Sequence, residues 1–123
     1  MGRTFPFVHD FRRLTVWQSS RELAVTVDAL ARSFPRSDRG VVGGQLRRAV
    51  LSIPSNIAEG CGMGSRKETI RFLHIAARSA KEAENHAIIA GDLRYISTAA
   101  REHILNQLTA IQAMLAKLIA NLP

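Results

Sequence analysis

The stretch QLRRAVLSIPSNIAEG, Gln45 to Gly60, decides how the whole chain reads. Leu46, Val50, Ile53 and Ile57 fall four, three and four residues apart, the spacing of one face of a helix. Pro54 sits in the middle of that face. A proline there cannot donate to the carbonyl of Val50 and crowds it, at a cost of roughly 3 kcal/mol in a regular helix interior. Beside the apolar seam runs a polar stripe of Gln45, Arg48, Ser52, Asn56 and Glu59. An amide, a guanidinium, a hydroxyl and a carboxylate in one row can serve freed carbonyls and bond to a neighbouring helix or subunit. The segment is therefore expected to be one continuous, bent helix, with Ser52 and Asn56 relieving the proline.

Three further helices follow from the same rule. Upstream, Leu23, Val27, Leu30 and Phe34 repeat at helical spacing, Thr15 and Gln18 suggest a capping box, and Pro35 ends the run. Downstream of the GCGMG turn, Ser65 and Glu68 form a second capping box. They open a helix whose inner face is read as Phe72, Ile75, Ala76, Ser79, Ala83, Ala87 and Ala90. After GDLRYIS, Ser97 caps a last helix in which Ile104, Leu108, Ile111, Leu115, Leu118 and Leu122 keep a heptad spacing. The expected boundaries are 15–33, 40–60, with Gly60 as the stop, 65–91 and 97–121. Four amphipathic helices joined by short loops describe an all-α, antiparallel up-down-up-down four-helix bundle. It occupies residues 14–122, behind an N-terminal extension of residues 1–13.

Composition agrees with that architecture and limits the chemistry. The 123 residues suffice for one domain with a real core. Only 6% are aromatic, so Ala, Leu, Ile and Val must build it. No apolar run is long enough to span a bilayer, and the N-terminal residues lack a secretion signal, so the expected location is cytoplasmic, with no membrane partner. The single cysteine, Cys61, fits a reducing compartment. Seventeen Lys and Arg against ten Asp and Glu give +7, a surplus that suits polyanions.

The residues for catalysis are missing. Di-iron bundles need Glu-x-x-His pairs, and none occurs here. An Arg-x(4 to 6)-His nuclease motif is matched only by Arg3 and His9, ahead of the first helix. GCGMGSRK puts glycines before a helix start but lacks both the Walker spacing and a preceding strand. The expectation is no enzyme, no cofactor and no metal.

The segments FRRLTVWQSSRELA, QLRRAVLSIPSNIAEG, FLHIAARSAKEAE and MLAKLIANL together resemble the bacterial four-helix proteins of 23S ribosomal RNA intervening sequences, the S23 family. The likeness runs from Phe11 to Leu122. That family in turn is similar to the accessory protein of diversity-generating retroelements, a basic pentameric barrel that binds nucleic acid. The resemblance implies a cytosolic homo-oligomer, a ring of five bundles.

Two functions remain in view. One is electrostatic binding of RNA or DNA, with Arg47 and the group Arg66, Lys67 and Arg71 as candidate phosphate contacts; Arg66 and Lys67 lie where helix-end amides also favour anions. The alternative for Arg47 and Arg71 is pairing with acidic residues of neighbouring helices, and the lack of interleaved exposed aromatics weighs against base stacking on single strands. The other is a structural oligomer that scaffolds a protein partner, its charge serving solubility.

Overall fold

The computed structural model describes Phe5, Pro6 and residues 10–123, without the Arg39 side chain. Arg3 and His9 lie outside the described residues. Four helices carry the chain: α1 (Thr15–Ala31), α2 (Gly44–Cys61), α3 (Arg66–Asp92) and α4 (Thr98–Ala120). No strand occurs among the described residues. A short 3-10 turn, Phe11–Arg13, precedes α1, and a wide π turn, Arg39–Gly43, precedes α2.

Contacts between helices fix an up-down-up-down order. Arg47, in the first turn of α2, meets Asp28, in the last turn of α1. Ser52 of α2 faces Ser79 of α3, and Gly60 faces Thr69 near the other end. Gln112 of α4 reaches Glu84 of α3, and the start of α1 lies against Met114 and Leu118 near the end of α4. Each neighbouring pair is antiparallel.

The apolar seams meet in one core. Val27, Leu46, Ile53, Ile57, Leu73, Ile104, Leu108, Ile111 and Leu115 are completely buried. On α3 the buried face is Thr69, Leu73, Ala76, Ser79, Ala80, Ala83, Ala87 and Ala90. Phe72 and Ile75, expected on that face, are only half-buried. Small side chains turn inward instead, which lets α2 and α3 approach closely.

The closest approach explains Gly60. It does not end α2, as the sequence suggests, but lies buried inside the helix, and Gly62 forms the C-terminal cap. A Cβ on Gly60 would stand 3.1 Å from the Cβ of Phe72 and 3.4 Å from the Thr69 carbonyl. Thr69 Oγ1 donates to the Gly60 carbonyl at 3.1 Å, which is why a polar residue is buried at this crossing.

Two of the three expected caps form. Ser65 Oγ accepts from the Glu68 amide and Ser97 Oγ from the Ala100 amide. The Glu68 carboxylate completes no box and faces Arg71 instead. Thr15 is not a cap: Leu14 holds that position in extended conformation, and Thr15 is already the first helical residue. Gln18 Nε2 donates to the Arg12 carbonyl, tying α1 to the 3-10 turn, whose own cap is Asp10. At the far end α1 closes at Ala31, where the Ser33 and Phe34 amides bond three residues back and tighten the last turn.

Candidate nucleic-acid interface

The polar stripe of α2 resolves into three parts. At one end Arg48 Nη2 donates to Gln45 Oε1 at 2.9 Å and lies 4.0 Å from Glu82 of α3. In the middle the Ser52 and Ser79 hydroxyls share a hydrogen bond of 2.8 Å, while Asn56 Nδ2 donates to both the carbonyl and the hydroxyl of Ser52. At the other end the Glu59 carboxylate is exposed and pairs with no described residue. The stripe is thus a seam between α2 and α3.

Helix α2 runs unbroken through Pro54, whose ring is buried. The side-chain bonds near it reach the carbonyls of Leu51, from Ser55 Oγ, and of Ser52, from Asn56. Neither Ser52 nor Asn56 serves the Val50 carbonyl that Pro54 frees, so the relief expected from them does not form. Replacing Asn56 by Leu removes both of its bonds, but Ser52 keeps Ser79. The expected loss of stability is about 1 kcal/mol, the typical net worth of such a bond, and the shift of a denaturant midpoint measures it.

The four candidate phosphate contacts separate. Arg47 binds Asp28 through Nε at 2.9 Å and Nη2 at 2.7 Å, and Asp28 also holds Arg32 at 3.0 Å. Burial raises the Asp28 carboxyl, but hydrogen bonds from Arg32 and Arg47 outweigh it and hold the group below the ordinary carboxylate range. Arg47 is thus engaged by two short contacts, although its side chain stays exposed. It also lies at the opposite end of α2 from Arg66 and Lys67, about 20 Å away at 1.5 Å per residue.

Arg66 and Lys67 form the first turn of α3, exposed and unpaired among the described residues. Arg71 lies one turn on. Its guanidinium is 3.5 Å from Glu68 and 4.5 Å above the Phe72 ring. Exposed ion pairs of this kind contribute at most about 1 kcal/mol, so Arg71 can exchange Glu68 for a phosphate.

The structure extends the group with His74, Arg78 and Lys81, which the sequence reading missed. Lys67, Arg71, His74, Arg78 and Lys81 are all exposed on the outward face of α3. Their spacing of four, three, four and three keeps them in one row of about 21 Å. That spacing was visible in the sequence. It was hidden by placing Phe72 and Ile75 inside, which rotates the helix away from its true outward face. Lys81 touches Glu84 at 3.3 Å, another exposed pair, and Arg78 has no acidic partner among the described residues.

Beside this row lies a cleft of about 440 Å³ between α3 and α4. His74, Arg78 and Lys81 form one rim, and Ala77, Ala116 and Ile119 line the floor. Gln112 closes it, bonded to Glu84 at 3.1 Å. That bond, with the help of Lys81, keeps the Glu84 carboxyl below its usual range.

Little else offers chemistry. Among the described residues no three His, Cys, Asp or Glu side chains gather as metal ligands. Burial pushes the Cys61 thiol up to about 11, leaving it protonated at neutral pH and a poor nucleophile. Among the described residues no helix is long and apolar enough to cross a membrane.

Comparison with known proteins places the chain. Its fold is similar to the crystal structure of a protein of unknown function from the S23 ribosomal protein family of Bacteroides thetaiotaomicron VPI-5482. The TM-score is 0.78 at 31% identity, over 85% of this chain and 98% of the other. A search of the curated proteins finds no match. The model of the 23S rRNA-intervening sequence protein family matches residues 12–117, which span all four helices but for the last residues of α4. By that match and that shared fold, the chain belongs to the 23S rRNA-intervening sequence protein family.

Proposed function

We propose that this chain is a cytoplasmic, non-enzymatic homo-oligomer that binds nucleic acid through its phosphates. The observation that carries the reading is the row Lys67, Arg71, His74, Arg78 and Lys81 on the outward face of α3, with Arg66 beside its start. Four permanent cations in line, paired with the half-buried carboxylates of Glu68 and Glu84 and bordered by Glu82, leave a net positive surface that a polyanion can follow.

Oligomerisation is supported by two apolar surfaces on different helices. Val25 is 66% and Leu51 60% exposed, above a cleft between α1 and α2 that includes Trp17, Pro54 and Ala58. Ile88, Ile89 and Leu93 are exposed near the end of α3. Two unlike patches suit a head-to-tail contact, which forms a ring when its rotation closes, better than a two-fold dimer, which needs one self-complementary patch. A ring of five is the number the family resemblance implies, and it would carry thirty-five surplus charges (5 × 7). The same patches would serve a scaffold that holds another protein, the second reading.

Polarisation titrations with labelled DNA and RNA, single-stranded and duplex, test the proposal alongside light scattering. If four phosphates are neutralised, the logarithm of affinity should fall with the logarithm of salt at a slope of about −3.6 on duplex and about −2.8 on single strands. Light scattering should give a multiple of 13.6 kDa, five being expected. No complex at low salt with the oligomer intact would favour the scaffold, and a monomer at micromolar concentration would overturn the ring.

A further inference from the structure

Resting on the nucleic-acid reading above, we infer that the α3–α4 cleft makes this a single-strand binder: phosphates lie on Arg78, Lys81 and the rest of the cationic row, and bases turn inward onto the floor of the cleft. The row alone would suit a duplex or a strand. What separates them is its surroundings, which differ on its two sides. Toward α4 the cations border an open apolar floor of Ala77, Ala116 and Ile119. Toward α2 the helix presents Glu82, which lies near Arg48 and His86.

A duplex keeps its base faces stacked inside and offers a rail of phosphates. It could touch the row but would leave the floor facing water. An unpaired strand has apolar base faces to bury, and a shallow alkyl floor next to cations takes both halves of a nucleotide. The far wall raises no electrostatic barrier, because α4 and the residues after it carry no acidic side chain from His103 to Pro123. The Gln112 amide, held in place by Glu84, is the one polar group at the floor, and both of its atoms can bond to a base edge. Glu84 itself, ionised and anchored by Lys81 and Gln112, repels phosphate at that end. The strand is thereby directed along the row from Lys81 toward Lys67. The floor has no aromatic side chain, so base faces are held by alkyl contact, which any base can make.

Three labelled probes of equal length separate the contributions: a single-stranded thymidine 12-mer, its abasic counterpart with the same phosphates, and the thymidine–adenosine duplex. The intact 12-mer should bind severalfold more tightly than the abasic strand, through burial of base faces on the alkyl floor. It should also bind more tightly than the duplex at equal salt. Ala77→Leu with Ala116→Leu, which fills the floor without changing charge, should erase the advantage over the abasic strand and leave the salt slope in place. Ala116→Leu alone, at an exposed position that the fold does not need, provides the same comparison if the double variant is unstable. Equal binding of intact and abasic strands, or a duplex preference unaffected by filling the floor, overturns the single-strand inference while leaving phosphate binding intact. No binding of any probe at low salt by the intact oligomer overturns both.

Discussion

A variant with Lys67, Arg71, Arg78 and Lys81 all changed to glutamate should lose nucleic-acid binding by about a hundredfold or more at low salt, the effect of removing four phosphate contacts and adding repulsion. The helix should survive the change. All four side chains are exposed, and the pairs given up, Arg71 with Glu68 and Lys81 with Glu84, are surface pairs worth about 0.3–0.5 kcal/mol each. A glutamate at position 67 falls in the first turn of α3, where the helix dipole favours negative charge. Far-ultraviolet circular dichroism and light scattering should match the wild type, so lost binding would not reflect lost fold. The Arg47→Gln variant is the informative contrast. Arg47 is engaged with Asp28, so its loss should weaken binding little. Binding that survived the fourfold reversal but failed in Arg47→Gln would move the interface to the other end of the bundle.

The second large effect concerns the contact of α2 with α3. Ala76 and Ala83 are completely buried. They lie two turns apart on α3, about 10 Å along its axis, far enough for their effects to add. Leucine at either position forces extra carbons into a closed seam at about 1–3 kcal/mol, so the double variant should lose about 2–6 kcal/mol. Set against a total stability of about 5–15 kcal/mol for an ordinary domain, that is a large fraction, and the melting temperature should fall by roughly 10 °C or more. A melting temperature within a few degrees of wild type would mean that the helices have room to separate, and the small-residue face would then not determine their distance.

Which parts of this structure the sequence revealed follows from how local each cause is. The four helices were readable because one-sided burial leaves its mark every three or four residues along the chain. Ser65 and Ser97 were readable because a cap bonds its own helix three residues on. Thr15 was misread because the entry to α1 is set by a turn at Phe11–Arg13 and by Gln18 reaching back six residues, a link that no capping rule contains. Gly60 looks like a stop in one dimension. Its reason is the Phe72 side chain on another helix.

The candidate interface divides in the same way. Arg66, Lys67 and Arg71 lie together because they open one helix within two turns, and the sequence could show that. Arg47 has no acidic residue within a turn of it along the chain, and only the pairing of α1 with α2 brings Asp28, nineteen residues earlier, against it. His74, Arg78 and Lys81 depended on the rotation of α3. Hydrophobicity assigned Phe72 and Ile75 to the inside, whereas close packing selected Leu73, Ala80 and Thr69, the last held by its bond to the Gly60 carbonyl.

The central claim is a location, so the most direct measurement is one that reports location. Ultraviolet cross-linking of a short labelled strand to the wild-type oligomer, followed by mass spectrometry of the peptides, identifies the residues that touch it. Adducts should fall in residues 66–85 of α3 and 109–119 of α4. Adducts confined to residues 12–47, on α1 and the start of α2, would contradict the account.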